Sequence, residues 1–113
     1  ILFVGAGEMN ELCAKYFSNH SPQSISIANR SIQNAQILAS EINADAILIG
    51  DINHKIHQYD IVISCTGSQL PIIGLGLIEK SIKLRKHKPM LLIDLAVPRD
   101  IEAEVHEPFT ASA

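Results

Sequence analysis

The first ten residues, Ile1-Leu2-Phe3-Val4-Gly5-Ala6-Gly7-Glu8-Met9-Asn10, carry the pattern that decides the fold. Four apolar residues, enough for a short strand, run directly into closely spaced glycines and then into a segment with helical spacing. Gly5 permits a tight turn, and Gly7 lets a phosphate approach the backbone at the helix N-terminus, where the helix dipole favours an anion. Strand, glycine turn and helix in this order predict a pyrophosphate-binding site.

The helix after this turn is predicted to span Glu8 to Phe17 and to end at Asn19 to Pro22. Asn10 departs from the glycine fingerprint, which has Gly or Ala at that position for close packing of the helix. The residues predicted to form the inward face of the helix are Met9, Leu12, Cys13, Tyr16 and Phe17. The residues predicted to contact a dinucleotide are Gly5, Ala6, Gly7, Glu8, Met9 and Asn10.

Further apolar runs of strand length alternate with segments long enough for helical crossovers. These runs are Ile25 to Ala28, Ala46 to Ile49, Ile61 to Ser64 and Met90 to Leu95. A second helix is predicted with Ser31 as its N-cap and Ala35, Leu38, Ala39 and Ile42 on its apolar face. A third is predicted over Leu75 to Lys86, and Asp51 to Tyr59 is predicted as a turn or a single helical turn. The pattern indicates an α/β fold, a doubly wound and mainly parallel five-stranded sheet with helices on both faces.

The second strand ends in Ala28-Asn29-Arg30-Ser31, about twenty residues beyond the glycines. An NAD-binding domain carries an acidic residue there for the ribose 2′-hydroxyl, and this sequence has none. The guanidinium of Arg30 and the hydroxyl of Ser31 suit the 2′-phosphate of NADP instead. We therefore predict NADPH as the cofactor, with Asn29, Arg30 and Ser31 in its site.

The fourth strand ends in Ser64-Cys65-Thr66-Gly67-Ser68, where the chain would pass beneath the ribose and nicotinamide of the cofactor. Ser64, Cys65, Thr66 and Gly67 are therefore predicted to contact it. The sequence shows no nearby His or cationic partner for Cys65, so we interpret it as an inert thiol, and Cys13 as a core residue. No residue is predicted to be catalytic.

Composition restricts the remaining classes of function. The chain has 113 residues, which is enough for one domain, and a formal net charge of −3, which gives no general reason to bind nucleic acid. The basic run Lys83 to Lys88 is interpreted as a solvated helix end, and His54 with His57 lacks the further ligands of a metal site. With no signal peptide, membrane span or disulfide framework in the sequence, we expect a cytoplasmic protein.

These motifs together resemble the NADPH-binding domain of glutamyl-tRNA reductase, a Rossmann-type domain. The resemblance covers essentially the whole chain, and its most family-specific run is Ile93-Asp94-Leu95-Ala96-Val97-Pro98-Arg99-Asp100-Ile101-Glu102. It implies that Asp94 to Arg99 shape the nicotinamide side of the cleft, so Asp94 is added to the predicted cofactor contacts. The chain starts without Met and ends in Thr110-Ala111-Ser112-Ala113 with no evident closing element, so we expect residues 1–113 to be one domain of a longer protein.

The resemblance also implies the chemistry of that longer protein. In the family, a cysteine of an N-terminal catalytic domain attacks glutamyl-tRNA to give a thioester, which NADPH reduces to glutamate-1-semialdehyde for tetrapyrrole (porphyrin and heme) synthesis. Neither cysteine of this chain matches that nucleophile, so we expect the chain alone to bind NADPH and to catalyse nothing. A homodimer is expected for the full-length protein through a C-terminal helical domain.

Two alternatives remain open at this stage. A shikimate dehydrogenase-like NADP domain also joins a glycine turn to an Asn-Arg-Ser/Thr clamp, although the Ile93 to Glu102 run argues against it. A non-catalytic dinucleotide-sensing module would use binding alone. The domains encoded on either side of this segment distinguish the three.

Overall fold

The computed structural model describes residues 1–20, 24–66, 73–95 and the strand at 110–112, and it shows parallel strands with helices between them. The strands are β1 (Leu2–Val4), β2 (Ser26–Asn29), β3 (Asp45–Leu48), β4 (Ile61–Ser64), β5 (Leu91–Asp94) and β6 (Thr110–Ser112). The helices are α1 (Glu8–Ser18), α2 (Ile32–Ile42), α3 (Ile52–Lys55) and α4 (Leu75–Leu84), with 3₁₀ turns at Ile49–Asp51 and Ile56–Gln58 on either side of α3.

The sheet has the strand order β3-β2-β1-β4-β5-β6, and all of its pairings are parallel. The order therefore reverses between β1 and β4, because the chain builds outward from β1 first on one side and then on the other. In this register Val4 lies beside both Ala28 and Ser64, so the carboxyl ends of β1, β2 and β4 meet at one edge. Such a reversal is where doubly wound sheets bind ligands.

Each face of the sheet has its own hydrophobic core, because successive side chains of a strand point to opposite faces. On β1, Phe3 packs on the face that α1 and α2 cover, while Leu2 and Val4 pack on the face that α3 and α4 cover. Phe3, Leu2 and Val4 are all fully buried. The predicted fold class, a doubly wound parallel sheet with helices on both faces, is confirmed.

The predicted inward face of α1 is confirmed at Cys13 and Phe17, which pack against the core, and is wrong at Met9, Leu12 and Tyr16. Met9, Leu12 and Tyr16 are 51%, 67% and 62% exposed, whereas Asn10 and Ala14 are fully buried. The reason is that two hydrogen bonds from the Asn10 side chain to the backbone of the preceding turn fix the rotation of the helix. With Asn10 directed at the turn, the helical step of 100° per residue places Met9, Leu12 and Tyr16 on the outward side of α1.

The sequence pattern did not predict the last strand, β6. Thr110–Ser112 forms β6 beside β5, with Thr110 opposite Leu92, so the expectation of five strands and no closing element is wrong. Small polar residues carry no apolar strand pattern, and the pairing with the sheet edge places them. The predicted N-cap is confirmed, since the Ser31 hydroxyl oxygen accepts a hydrogen bond from the Asn34 N–H at 3.2 Å.

The interpretation of the basic run Lys83 to Lys88 as a solvated helix end is wrong for Arg85. Arg85 follows the last residue of α4 and is 8% exposed. Its guanidinium donates hydrogen bonds to four carbonyl oxygens and to a carboxylate oxygen of Asp60, at 2.7 to 3.1 Å. The four carbonyls belong to His57, Tyr59, Lys88 and Pro89. Arg85 thus joins the end of α4 to the segments that lead into β4 and β5.

The hydrogen bond from Arg85 holds the pKa of Asp60 below its ordinary value. A lowered carboxyl pKa stabilises the fold above the ordinary Asp pKa, and this stabilisation is lost as the pH falls through the lowered value. The Asp60 side chain is 83% exposed, so solvent screens the pair and its contribution is small. The carbonyl contacts of Arg85 therefore matter more than its ion pair.

Replacing Arg85 with Ala leaves four carbonyls at this edge without their donor, and we expect a loss of about 3 kcal/mol in the free energy of unfolding. Urea titration followed by circular dichroism measures it. The exposed neighbour Lys83 provides the control, since Lys83→Ala should change stability by less than about 0.5 kcal/mol. Equal effects of the two substitutions would contradict the structural role of Arg85.

Candidate dinucleotide-binding site

The turn between β1 and α1 requires glycine at its first position. Gly5 has φ of +105°, a conformation that a side chain rarely adopts, and its N–H donates to the Ala28 carbonyl at 2.7 Å. A Cβ built on Gly5 would overlap the carbonyl oxygen of Cys65. The glycine therefore lets the turn lie directly against the segment that follows β4.

Gly7 has a different role, because its backbone conformation is open to any residue and the feature that matters is the empty space beside it. It is the N-cap of α1 with φ of −78°, and a Cβ there would have no atom within 4 Å. Among the described residues no side chain caps the helix, so the first N–H groups of α1 are available to an anion. The acidic Glu11 of the first turn is paired with Lys15 at 2.9 Å, which offsets its charge. The hydrogen bonds that Lys15 donates to Glu11 and Glu41 raise the pKa of Lys15.

A cleft of about 330 Å³ opens above this turn, at the carboxyl ends of β1, β2 and β4. Its lining consists of Gly5, Ala6, Gly7, Asn29, Arg30, Ile49, Cys65 and Thr66. All of these except Ile49 were predicted from the sequence as cofactor contacts. Ile49 comes directly after β3, and its place at the end of a strand was the signal that could have identified it.

The other predicted contacts lie near the cleft without lining it. Ser31 caps α2, and its hydroxyl oxygen is engaged with the Asn34 N–H. Glu8 and Met9 are exposed on the first turn of α1, and Asn10 is fully buried beneath the glycine turn. Ser64 and Asp94 lie side by side at the ends of β4 and β5, and both are buried. Gly67 lies outside the described residues, as do residues 96–102 of the family-specific run.

The two cysteines lie in different surroundings. Cys65 is half-buried in the cleft wall, and its thiol donates to the Leu95 carbonyl oxygen at 3.7 Å, a weak contact with an acceptor that cannot take up a proton as a base. Cys13 is half-buried on α1 and packs against the core. The interpretation of both cysteines as inert thiols stays a prediction.

The described residues also bear on metal and membrane binding. Within them, no three His, Cys, Asp or Glu side chains converge as potential metal ligands. No helix in that part of the chain is both long and apolar enough to cross a membrane.

The glycine turn, the helix N-terminus and the cleft fit a dinucleotide, because Gly7 leaves room for a phosphate beside the first backbone N–H groups of α1, which no side chain of the described residues caps. The family model for Shikimate / quinate 5-dehydrogenase matches residues 1–112. The chain therefore belongs to this family of dehydrogenase domains, whose Rossmann-type fold implies a nicotinamide dinucleotide cofactor.

Within that class, the chain matches the nucleotide-binding domain of glutamyl-tRNA reductases. It is 56% identical over 105 residues to the glutamyl-tRNA reductase of Albidiferax ferrireducens and 53% identical over 107 residues to that of Acidovorax sp.. These matches cover 93% and 95% of this chain but 25% and 24% of the relatives, so the chain spans about a quarter of their length.

Solved structures agree with this match. The glutamyl-tRNA reductase of Methanopyrus kandleri superposes with a TM-score of 0.89 at 29% identity, over 98% of this chain and 29% of that one. The nucleotide-binding domain of glutamyl-tRNA reductase from Thermoplasma volcanium superposes with a TM-score of 0.75 at 31% identity, over 98% of this chain and 72% of that one. The resemblance inferred from the motifs is confirmed.

Alanine at the two glycines should separate folding from binding. Gly5→Ala forces a side chain into the Cys65 backbone at a positive φ, and we expect a loss of more than about 2 kcal/mol in the free energy of unfolding. Gly7→Ala enters open space and should cost less than about 1 kcal/mol, yet its methyl group occupies room for a phosphate and should weaken dinucleotide binding about tenfold or more. Thermal unfolding and calorimetric titration measure the two effects. Unimpaired binding by Gly7→Ala would contradict the placement of the phosphate.

Proposed function

We propose that this chain is the NADPH-binding domain of a glutamyl-tRNA reductase, and that it positions the cofactor for hydride transfer in the whole protein. The observation that carries the cofactor assignment is Arg30, which lies with Asn29 at the end of β2 and lines the cleft. Domains that bind NAD have an acidic residue at this place for the ribose 2′-hydroxyl. A permanent positive charge there favours the 2′-phosphate of NADP.

The neighbouring backbone supports the same assignment. The side-chain amide of Asn29 donates a hydrogen bond to the Ser31 carbonyl at 3.3 Å, and Ser31 is the N-cap of α2. Arg30 is exposed and directly precedes Ser31, so it stands at the start of a helix, where an anion is favoured. Ile49, on the segment after β3, adds apolar surface to the same end of the cleft.

In the whole protein the nicotinamide cofactor would supply a hydride to a glutamyl thioester formed on another domain, releasing glutamate-1-semialdehyde. The residues of this chain would bind the cofactor and orient it. The turn of Gly5 to Gly7 and the start of α1 would hold the pyrophosphate, Arg30 the 2′-phosphate, and Cys65 with Thr66 the wall under the ribose. On this proposal the chain alone reduces nothing, and the longer protein is a cytoplasmic homodimer.

The match to the Shikimate / quinate 5-dehydrogenase family keeps a shikimate dehydrogenase-like role as an alternative. Curated relatives at 52% to 56% identity are named glutamyl-tRNA reductase, which supports the reductase assignment. A sensing module would bind the dinucleotide without a reaction. A cysteine-bearing domain encoded before this segment and a long helix after it would support the reductase over both alternatives.

Arg30→Ala tests the cofactor assignment. Loss of a charge-assisted contact to the 2′-phosphate should weaken NADPH binding about tenfold or more and leave NADH binding unchanged. Calorimetric titration of the purified chain with each dinucleotide measures both constants, and Lys80→Ala, an exposed cation on α4, is the control. Equal affinity of the wild-type chain for NADPH and NADH would contradict the assignment.

A further inference from the structure

Asn10 lies fully buried beneath the glycine turn, in the first turn of α1. Its amide nitrogen donates to the Val4 carbonyl oxygen at 2.8 Å and to the Gly5 carbonyl oxygen at 3.0 Å. Both amide protons are therefore used on the last residue of β1 and the first residue of the turn. The position that the glycine fingerprint gives to a small residue here holds a side chain that fixes the backbone.

The hydrogen bond to Gly5 also sets the direction of the next N–H group. In a planar trans peptide, the C=O of one residue and the N–H of the next point in opposite directions. Since the Gly5 oxygen is held toward Asn10, the Ala6 N–H points away from the helix interior, and Ala6 lines the cleft. The Gly5 N–H is held separately by the Ala28 carbonyl at 2.7 Å. The peptide between Gly5 and Ala6 is thus fixed in orientation.

The remaining atom of the amide shows that packing alone does not explain this residue. Asn10 Oδ1 is buried and has no hydrogen-bond partner within the part of the chain that the structure describes. An unpaired buried acceptor costs free energy, and a leucine of similar shape would fill the same space without that cost. The asparagine is explained by the two donor bonds to the turn.

We propose that Asn10 is a positioning residue for the pyrophosphate: it holds the Gly5 carbonyl inward, so that the Ala6 N–H is presented to a phosphate in the cleft. This inference rests on the proposed function, because it requires a dinucleotide there. NADPH and NADH share the pyrophosphate, so Asn10 contributes equally to the binding of both. Arg30 contributes to NADPH alone, and this difference separates the two roles.

Asn10→Leu removes both donor bonds and keeps the volume. Calorimetric titration of the purified chain should show the dissociation constants of NADPH and NADH raised by the same factor, about tenfold. Urea unfolding of the same samples shows whether the fold is retained. Asn19→Leu, an exposed position at the far end of α1, is the matched control and should bind both dinucleotides as the wild type does.

Asn10→Asp is the second variant, and it tests the positioning role if Asn10→Leu does not fold. A carboxyl group in this place donates only when protonated, and its burial beside two carbonyl oxygens raises its pKa. The affinity of this variant for both dinucleotides should therefore fall, relative to the wild type, as the pH rises through that pKa, with the circular dichroism spectrum unchanged.

Three outcomes would count against these ideas in different ways. Wild-type affinity in both Asn10 variants would overturn the positioning role, and so would a loss confined to NADPH. A wild-type chain that binds neither dinucleotide would overturn the proposed function, and this inference with it.

Discussion

The site depends on the close packing of Gly5 against the backbone of Cys65. This contact joins the turn after β1 to the segment after β4, at the point where the strand order reverses. Any side chain at Gly5 would push these two segments apart, and the cleft lies between them. The start of α1, and with it the direction of the first helical N–H groups, follows from the same turn.

The two ends of the strands, which form the carboxyl edge and the opposite edge of the sheet, differ in structure. At the carboxyl edge, backbone groups and one exposed arginine surround an open cleft, where burial is low and a ligand has access. At the opposite edge, the buried Arg85 joins the end of α4 to the starts of β4 and β5 through carbonyl oxygens. Arg85 therefore contributes to stability at one end of the strands, whereas Arg30, on the proposed function, contributes to binding at the other.

Much of this could be read from the sequence, because the features concerned are local. The glycine turn, the Ser31 cap and the first five strands depend on neighbours along the chain, and the structure has them where the pattern indicates. The cleft residues followed from the rule that parallel strands bind ligands at their carboxyl ends. Ile49 was missed because an apolar residue after a strand resembles a core position.

The errors came from interactions that the pattern of apolar and charged residues does not show. Met9, Leu12 and Tyr16 fit an inward helical face, but α1 buries Asn10, which bonds to the glycine turn, and Ala14 instead, and leaves those three residues exposed. Arg85 stood in a basic run typical of a solvated helix end, and only the fold brings it to Tyr59 and Asp60. β6 pairs with β5 at the edge of the sheet, and no local pattern in the sequence predicts this pairing.

The central claim is that a dinucleotide binds in the cleft at the carboxyl edge of the sheet. Backbone amide chemical shifts of the isotope-labelled chain, recorded by NMR during titration with NADPH, test it most directly. The account predicts that the largest changes fall on Gly5 to Gly7, on Asn29 to Ser31 and on Ile49, and that the segment around Arg85 stays unchanged. Changes centred on Arg85 and Lys88 at the opposite edge, or no changes at saturating NADPH, would contradict it.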